Sequence, residues 1–87
     1  MTAKTRKALG RRIRLLRKAN SLSQQKFALM VNVERSYLAK VELGQKNPSV
    51  DVLEKIAHGL GITLSELLEG VDTADAQAFV EYSAVKL

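Results

Sequence analysis

Four polar side chains near the middle of the chain, Glu34, Arg35, Ser36 and Lys40, carry hydrogen-bonding groups among apolar neighbours. Arg35 carries a rigid fork of donors that fits a paired acceptor edge such as guanine O6 and N7. Ser36 can donate or accept, and Glu34 can accept from an amino group such as cytosine N4. Lys40, five residues after Arg35, falls near the same side of a helix and can reach a base or a phosphate. Bond-making chemistry has no comparable support. The chain has no Cys, which removes a disulfide framework, a thiol nucleophile and a Cys-rich zinc site together. His58 is the single His and has no second ligand at metal-binding spacing, so it reads as a structural or surface residue and no metal is expected. No nucleophile elbow and no phosphate-cradling glycine loop occurs, so neither cofactor nor enzymatic activity is expected.

Charge points to the class of partner. The net charge is +5, but residues 1 to 48 hold 12 Lys and Arg against only Glu34 and Glu42, a balance of +10. Residues 49 to 87 hold Lys55 and Lys86 against seven acids, a balance of −5. Such asymmetry implies a polyanion-binding half joined to a half that faces solvent or a partner. With 87 residues, 46% of them hydrophobic, the chain can form one small domain with a single core. Its apolar runs are too short to cross a bilayer, and the basic N-terminus leads into an amphipathic pattern instead of an apolar signal core. A cytosolic protein without membrane contact is the expectation.

The elements that must position these residues are helices. Residues 1 to 6 lack an apolar pattern and predict a mobile arm. Leu9, Ile13 and Leu16 recur at helical spacing and predict a first helix over 6–19, with Arg11, Arg12 and Arg14 on a solvated face that raises the local positive potential. Asn20 and Ser21 break it, and Ser23 is placed to cap a second helix over 24–31 that buries Phe27, Ala28 and Val31. Asn32 suits a turn that needs positive φ. A third helix over 35–43 follows, begun by Glu34 and ended by Gly44. Pro48 and Ser49 open a fourth over 50–59, with Leu53, Ile56, Ala57 and Leu60 inward and Gly61 as its stop. Thr63 or Ser65 caps a short fifth helix ending near Gly70.

Residues 22 to 44, Leu-Ser-Gln-Gln-Lys-Phe-Ala-Leu-Met-Val-Asn-Val-Glu-Arg-Ser-Tyr-Leu-Ala-Lys-Val-Glu-Leu-Gly, thus form two short helices joined by a tight turn, with a polar, basic face on the second. This stretch resembles the phage-repressor-like helix-turn-helix family, also called the Xre or Cro/repressor class. The likeness continues through Asn47-Pro48-Ser49 and Leu60-Gly61-Ile62-Thr63-Leu64-Ser65-Glu66-Leu67-Leu68, covering roughly residues 9 to 69. The sequence departs from the family pattern at Asn32, where Gly is usual, and at Glu34, where Ser or Thr is commoner.

The resemblance implies an all-α, five-helix domain over residues 1–70 with a C-terminal extension over 71–87, acting as a sequence-specific regulator that reads double-stranded DNA. It implies that Gln24 fastens the second helix to a phosphate and that Glu34, Arg35, Ser36 and Lys40 face base edges. Tyr37 is either a groove-side contact or a ring along the helix junction with its hydroxyl near a phosphate, and Lys46 and Asn47 pass beside the sugar-phosphate chain. Arg17 and Glu42 correspond to a partly buried ion pair that fixes helix orientation. A homodimer on a palindromic site is expected, with half-sites about 34 Å apart, in a repressor, an antitoxin or a restriction-modification controller. The alternative is a protein-interaction adaptor that keeps the fold without reading DNA. In the extension, Asp72 or Thr73 could cap a sixth helix carrying Phe79, Val80 and Tyr82, although 79 to 87 also fits a strand. Its apolar residues must pack either on the same domain or, preferably, on the extension of a second subunit.

Overall fold

The computed structural model describes residues 1–73 and 76. Five helices follow one another: α1 Ala3–Ala19, α2 Gln24–Met30, α3 Arg35–Glu42, α4 Val50–Gly59 and α5 Leu64–Leu67. The first four end in one device. The residue two past each helix takes a left-handed conformation, Ser21 and Asn32 at φ 57°, Gly44 at 75° and Gly61 at 72°. The next amide then donates back to a carbonyl of the last turn: Leu22 to Arg17, Val33 to Ala28, Gln45 to Lys40 and Ile62 to Ala57, at 2.9–3.2 Å. These closures satisfy carbonyls that a helix end leaves open. They also aim Leu22, Val33 and Ile62 at the core. Asn32 adopts the positive φ its short polar side chain tolerates.

Two boundaries differ from the sequence expectation. The first helix starts at Ala3 instead of residue 6, because the Thr2 hydroxyl accepts from the Thr5 amide at 3.0 Å and nothing in Ala3–Arg6 breaks a helix. Residues 3 to 6 are therefore not an arm. The fifth helix ends at Leu67, short of Gly70, after a start fixed by a capping box in which Thr63 and Glu66 each bond the other's backbone amide.

The core is one cluster drawn from all five helices: Leu9 and Ile13, Phe27 and Ala28, Leu38 and Val41, Leu53, Ile56 and Ala57, and Leu67, with Val31 and Leu60. Phe27 is its largest fully buried member. Where α1 crosses α3 the backbones nearly touch: a Cβ at Gly10 would meet the carbonyl oxygens of Glu42 and, at 2.6 Å, of Val41. Only glycine lets the third helix lie this close to the first. Among the described residues, no helix is long and apolar enough to cross a membrane, and no group of three His, Cys, Asp or Glu could hold a metal ion. The extension from residue 71 lies outside the described residues, apart from 71–73 and 76.

Candidate nucleic-acid interface

The third helix is fastened on its inner side. Leu38 and Val41 are buried, and Glu42 closes the row with its carboxylate turned inward. Arg17 Nε donates to Glu42 Oε2 at 2.7 Å and Nη2 donates to Oε1 at 2.9 Å, a two-pronged pair between side chains that are almost wholly buried. Arg17 Nη1 also donates to the Leu22 carbonyl at 2.8 Å, sealing the turn between α1 and α2. Gln24, the first residue of α2, donates its Nε2 to Glu42 Oε1 at 3.1 Å. One carboxylate thus ties α1, α2 and α3 together. The hydrogen bond to Glu42 raises the Arg17 pKa above its ordinary value, against the opposing effect of burial and with the help of the opposite charge. The guanidinium remains charged at any physiological pH. No buried side-chain nitrogen or oxygen among the described residues lacks a hydrogen-bond partner.

The outer side of α3 is uncovered by the described residues. Arg35, Ser36 and Lys40 are exposed. Ser36 and Lys40 stand one turn apart, while Arg35, Ala39 and Leu43 form the adjoining row. Glu34 occupies the position before the helix with extended backbone, and its exposed carboxylate makes no capping bond. Tyr37 is half-buried and packs on the edge of the core, so its ring bridges the interior and the surface. Lys46 and Asn47 are exposed on the loop from α3 to α4, past the end of the helix that Arg35 begins. The structure accordingly gathers Arg35, Ser36 and Lys40 on one exposed face, gathers Gln24 with Arg17 and Glu42, and sets Lys46 and Asn47 apart.

Arg12 does not belong to the solvated face expected from the sequence. Its Nη2 donates to the Glu66 carbonyl at 2.8 Å and its Nε to the Leu67 carbonyl at 3.2 Å, so it clasps the end of α5 to α1. Its targets are backbone oxygens, which leave no mark in a sequence. The close approach at Gly10 was missed too, although a glycine inside an amphipathic helix is itself a signal of tight packing.

A family model described as helix-turn-helix matches residues 13–67. The control protein C.MunI of a Mycoplasma species is 44% identical over 64 residues, spanning 72% of this chain and 86% of that protein. The immunity repressor of Bacillus phage phi105 is 38% identical over 76 residues, which is 87% of this chain and 52% of the repressor. Among solved structures, the restriction-modification controller C.AhdI from Aeromonas hydrophila is similar with a TM-score of 0.69 and 41% identity, over 70% of this chain and 92% of that one. The chain belongs to the helix-turn-helix family, in its phage-repressor-like class. It is a DNA-binding regulator of transcription.

Proposed function

We propose that the chain is a non-enzymatic, cytoplasmic regulator that binds a palindromic operator as a homodimer, of the type that controls a restriction-modification operon. The observation that carries the reading is the two-sided character of α3. Its inner side is locked by Leu38, Val41 and the Arg17–Glu42 pair, while its outer side presents exposed Arg35, Ser36 and Lys40, which have no ion-pair partner among the described residues. A rigid helix with a free polar face is what entry into a major groove requires. Placed there, Arg35 bonds a guanine edge, Ser36 and Glu34 bond neighbouring bases, and Lys40 reaches a base at the far end of the helix. Gln24, Tyr37, Lys46 and Asn47 hold phosphates on either side. The controller type is favoured over a phage repressor because C.MunI and C.AhdI are matched over most of their lengths and the immunity repressor over about half.

Selection of bound sequences from a random duplex pool tests the assignment. Arg35→Ala is expected to lower specific affinity by about 1–3 kcal/mol and to relax the preference at one base pair in each half-site. A selected motif identical to that of the unmodified chain would remove Arg35 from the base-reading set. A single small module reads too few base pairs for tight binding, and we assign the pairing of two copies to the extension over 71–87 beyond the domain of 1–70. Sedimentation that finds the full chain monomeric at high concentration would exclude the dimer. An adaptor without DNA readout would show no salt-sensitive affinity for duplex at all.

A further inference from the structure

Five cations, Lys4, Lys7, Arg11, Arg14 and Lys18, recur three and four residues apart along α1, a spacing that holds them on one face over about 21 Å. All five are exposed, and none takes part in an ion pair among the described residues. The row borders the inner flank of the helix and comes close to α3 at two points. Lys7 lies over Gly44, at the end of α3, closely enough that a Cβ on Gly44 would meet Lys7 Cγ at 2.7 Å. Arg14 lines a groove with Gln24, Ala39, Glu42 and Leu43. Ala39 and Leu43 continue the row that Arg35 begins, so this groove opens beside the face of α3 that carries Arg35.

The arrangement works against folding of the free protein. Lys4 and Lys7 occupy the first turns of α1, where the helix dipole favours acids and the helix has none. Each neighbouring pair in the row is a like-charge pair at helical contact distance, which is destabilising. An anionic ladder laid along the row relieves both penalties at once, and a duplex offers one phosphate charge for about every 1.7 Å of its axis.

We propose that this row is a second, sequence-independent contact with the phosphate backbone, extending the footprint past α3 onto the flanking strand. The proposal rests on the DNA reading above, and its test separates the two. The full chain, the variant Lys4→Gln/Lys7→Gln/Arg11→Gln/Arg14→Gln/Lys18→Gln, and the smaller variant Lys7→Gln/Arg14→Gln are titrated with a random-sequence duplex across a range of salt. Glutamine preserves helix propensity, so melting followed by circular dichroism should show both variants folded.

The slope of log affinity against log salt is expected to become shallower by about 0.9 for each cation that displaces a counterion. That amounts to about 2 for the pair and to a larger change for the five-fold variant, with affinity at least tenfold weaker at moderate salt. Arg35→Ala should keep a steep slope, so a failure of base readout at α3 would leave the row standing. A folded five-fold variant with the slope of the unmodified chain overturns the proposal. An unchanged slope accompanied by loss of dimer would overturn it in favour of a second copy's acidic surface seated on the row. An unmodified chain with no salt-sensitive affinity would overturn both readings.

Discussion

Two arginines five residues apart on α1 fasten the molecule in different ways. Arg17 meets a carboxylate in the interior, where each group would be costly without the other. Arg12 meets two backbone carbonyls at the surface, where water could replace it. The first junction orders α1, α2 and α3, the helices that present the candidate DNA face. The second attaches α5, which contributes only Leu67 to the fully buried core. Burial, more than the number of hydrogen bonds, decides which junction the fold depends on.

Breaking the inner junction should have the largest effect. Arg17→Ala would leave the Glu42 carboxylate buried with only the Gln24 amide as a side-chain partner, at a cost of about 3–5 kcal/mol. For a domain of this size that is enough to lower the melting temperature by roughly 12 °C or more. Chemical denaturation would measure it. The apolar replacement Arg17→Met/Glu42→Leu sharpens the point: because neither charge remains to be desolvated, stability should recover to near that of the unmodified chain. A double variant no more stable than Arg17→Ala would show that the pair's geometry, and not the uncompensated charge, carries the stability.

Arg12→Ala should cost less, about 1–2 kcal/mol, since the freed Glu66 and Leu67 carbonyls lie near enough to the surface to be rehydrated. The difference should also be local. Native-state hydrogen exchange should rise at the amides of α5 alone, whereas Arg17→Ala should raise it through α1, α2 and α3. Uniform acceleration in Arg12→Ala would mean that α5 is coupled to the core as tightly as α3 is, and the contrast between the junctions would fail.

The same contrast explains what could be read from the sequence. Ser23, Asn32, Gly44, Ser49 and Gly61 each impose a local backbone state, so the starts and stops of α2, α3 and α4 were legible to within a residue. Arg17 and Glu42 are legible as a pair only through resemblance, since nothing in a spacing of 25 residues says that two side chains meet. Arg12 escaped because a backbone carbonyl has no residue identity. The start of α1 escaped because Thr2 caps a helix whose first turn has no apolar residue in the core and is strongly basic, a composition that reads as an arm. The exposed face of α3 was visible as polar residues on a short helix, yet its rigidity comes from Gly10 and Glu42 on opposite sides of one crossing, which periodicity does not reveal.

The smallest expected effect lies at the outer junction, where Glu66 serves twice. Its carbonyl accepts from Arg12, and its carboxylate accepts from the Thr63 amide at 3.1 Å and the Thr63 hydroxyl at 3.0 Å, which starts α5. The backbone hydrogen bond, and after it the hydroxyl, holds the Glu66 carboxyl below its ordinary pKa. A group whose pKa is depressed on folding stabilises the fold above its unfolded value and loses that contribution as the pH falls through the folded one. Because the carboxylate is fully exposed, the contribution is screened and should be slight. Glu66→Gln keeps an acceptor oxygen for the cap but removes the charge. The unmodified chain should therefore melt slightly above Glu66→Gln at neutral pH, and the gap should close in acid, below the ordinary carboxylate range. A gap that stayed constant with pH would mean that the charge on Glu66 adds nothing to the cap, leaving Arg12 and the neutral hydrogen bonds to hold α5.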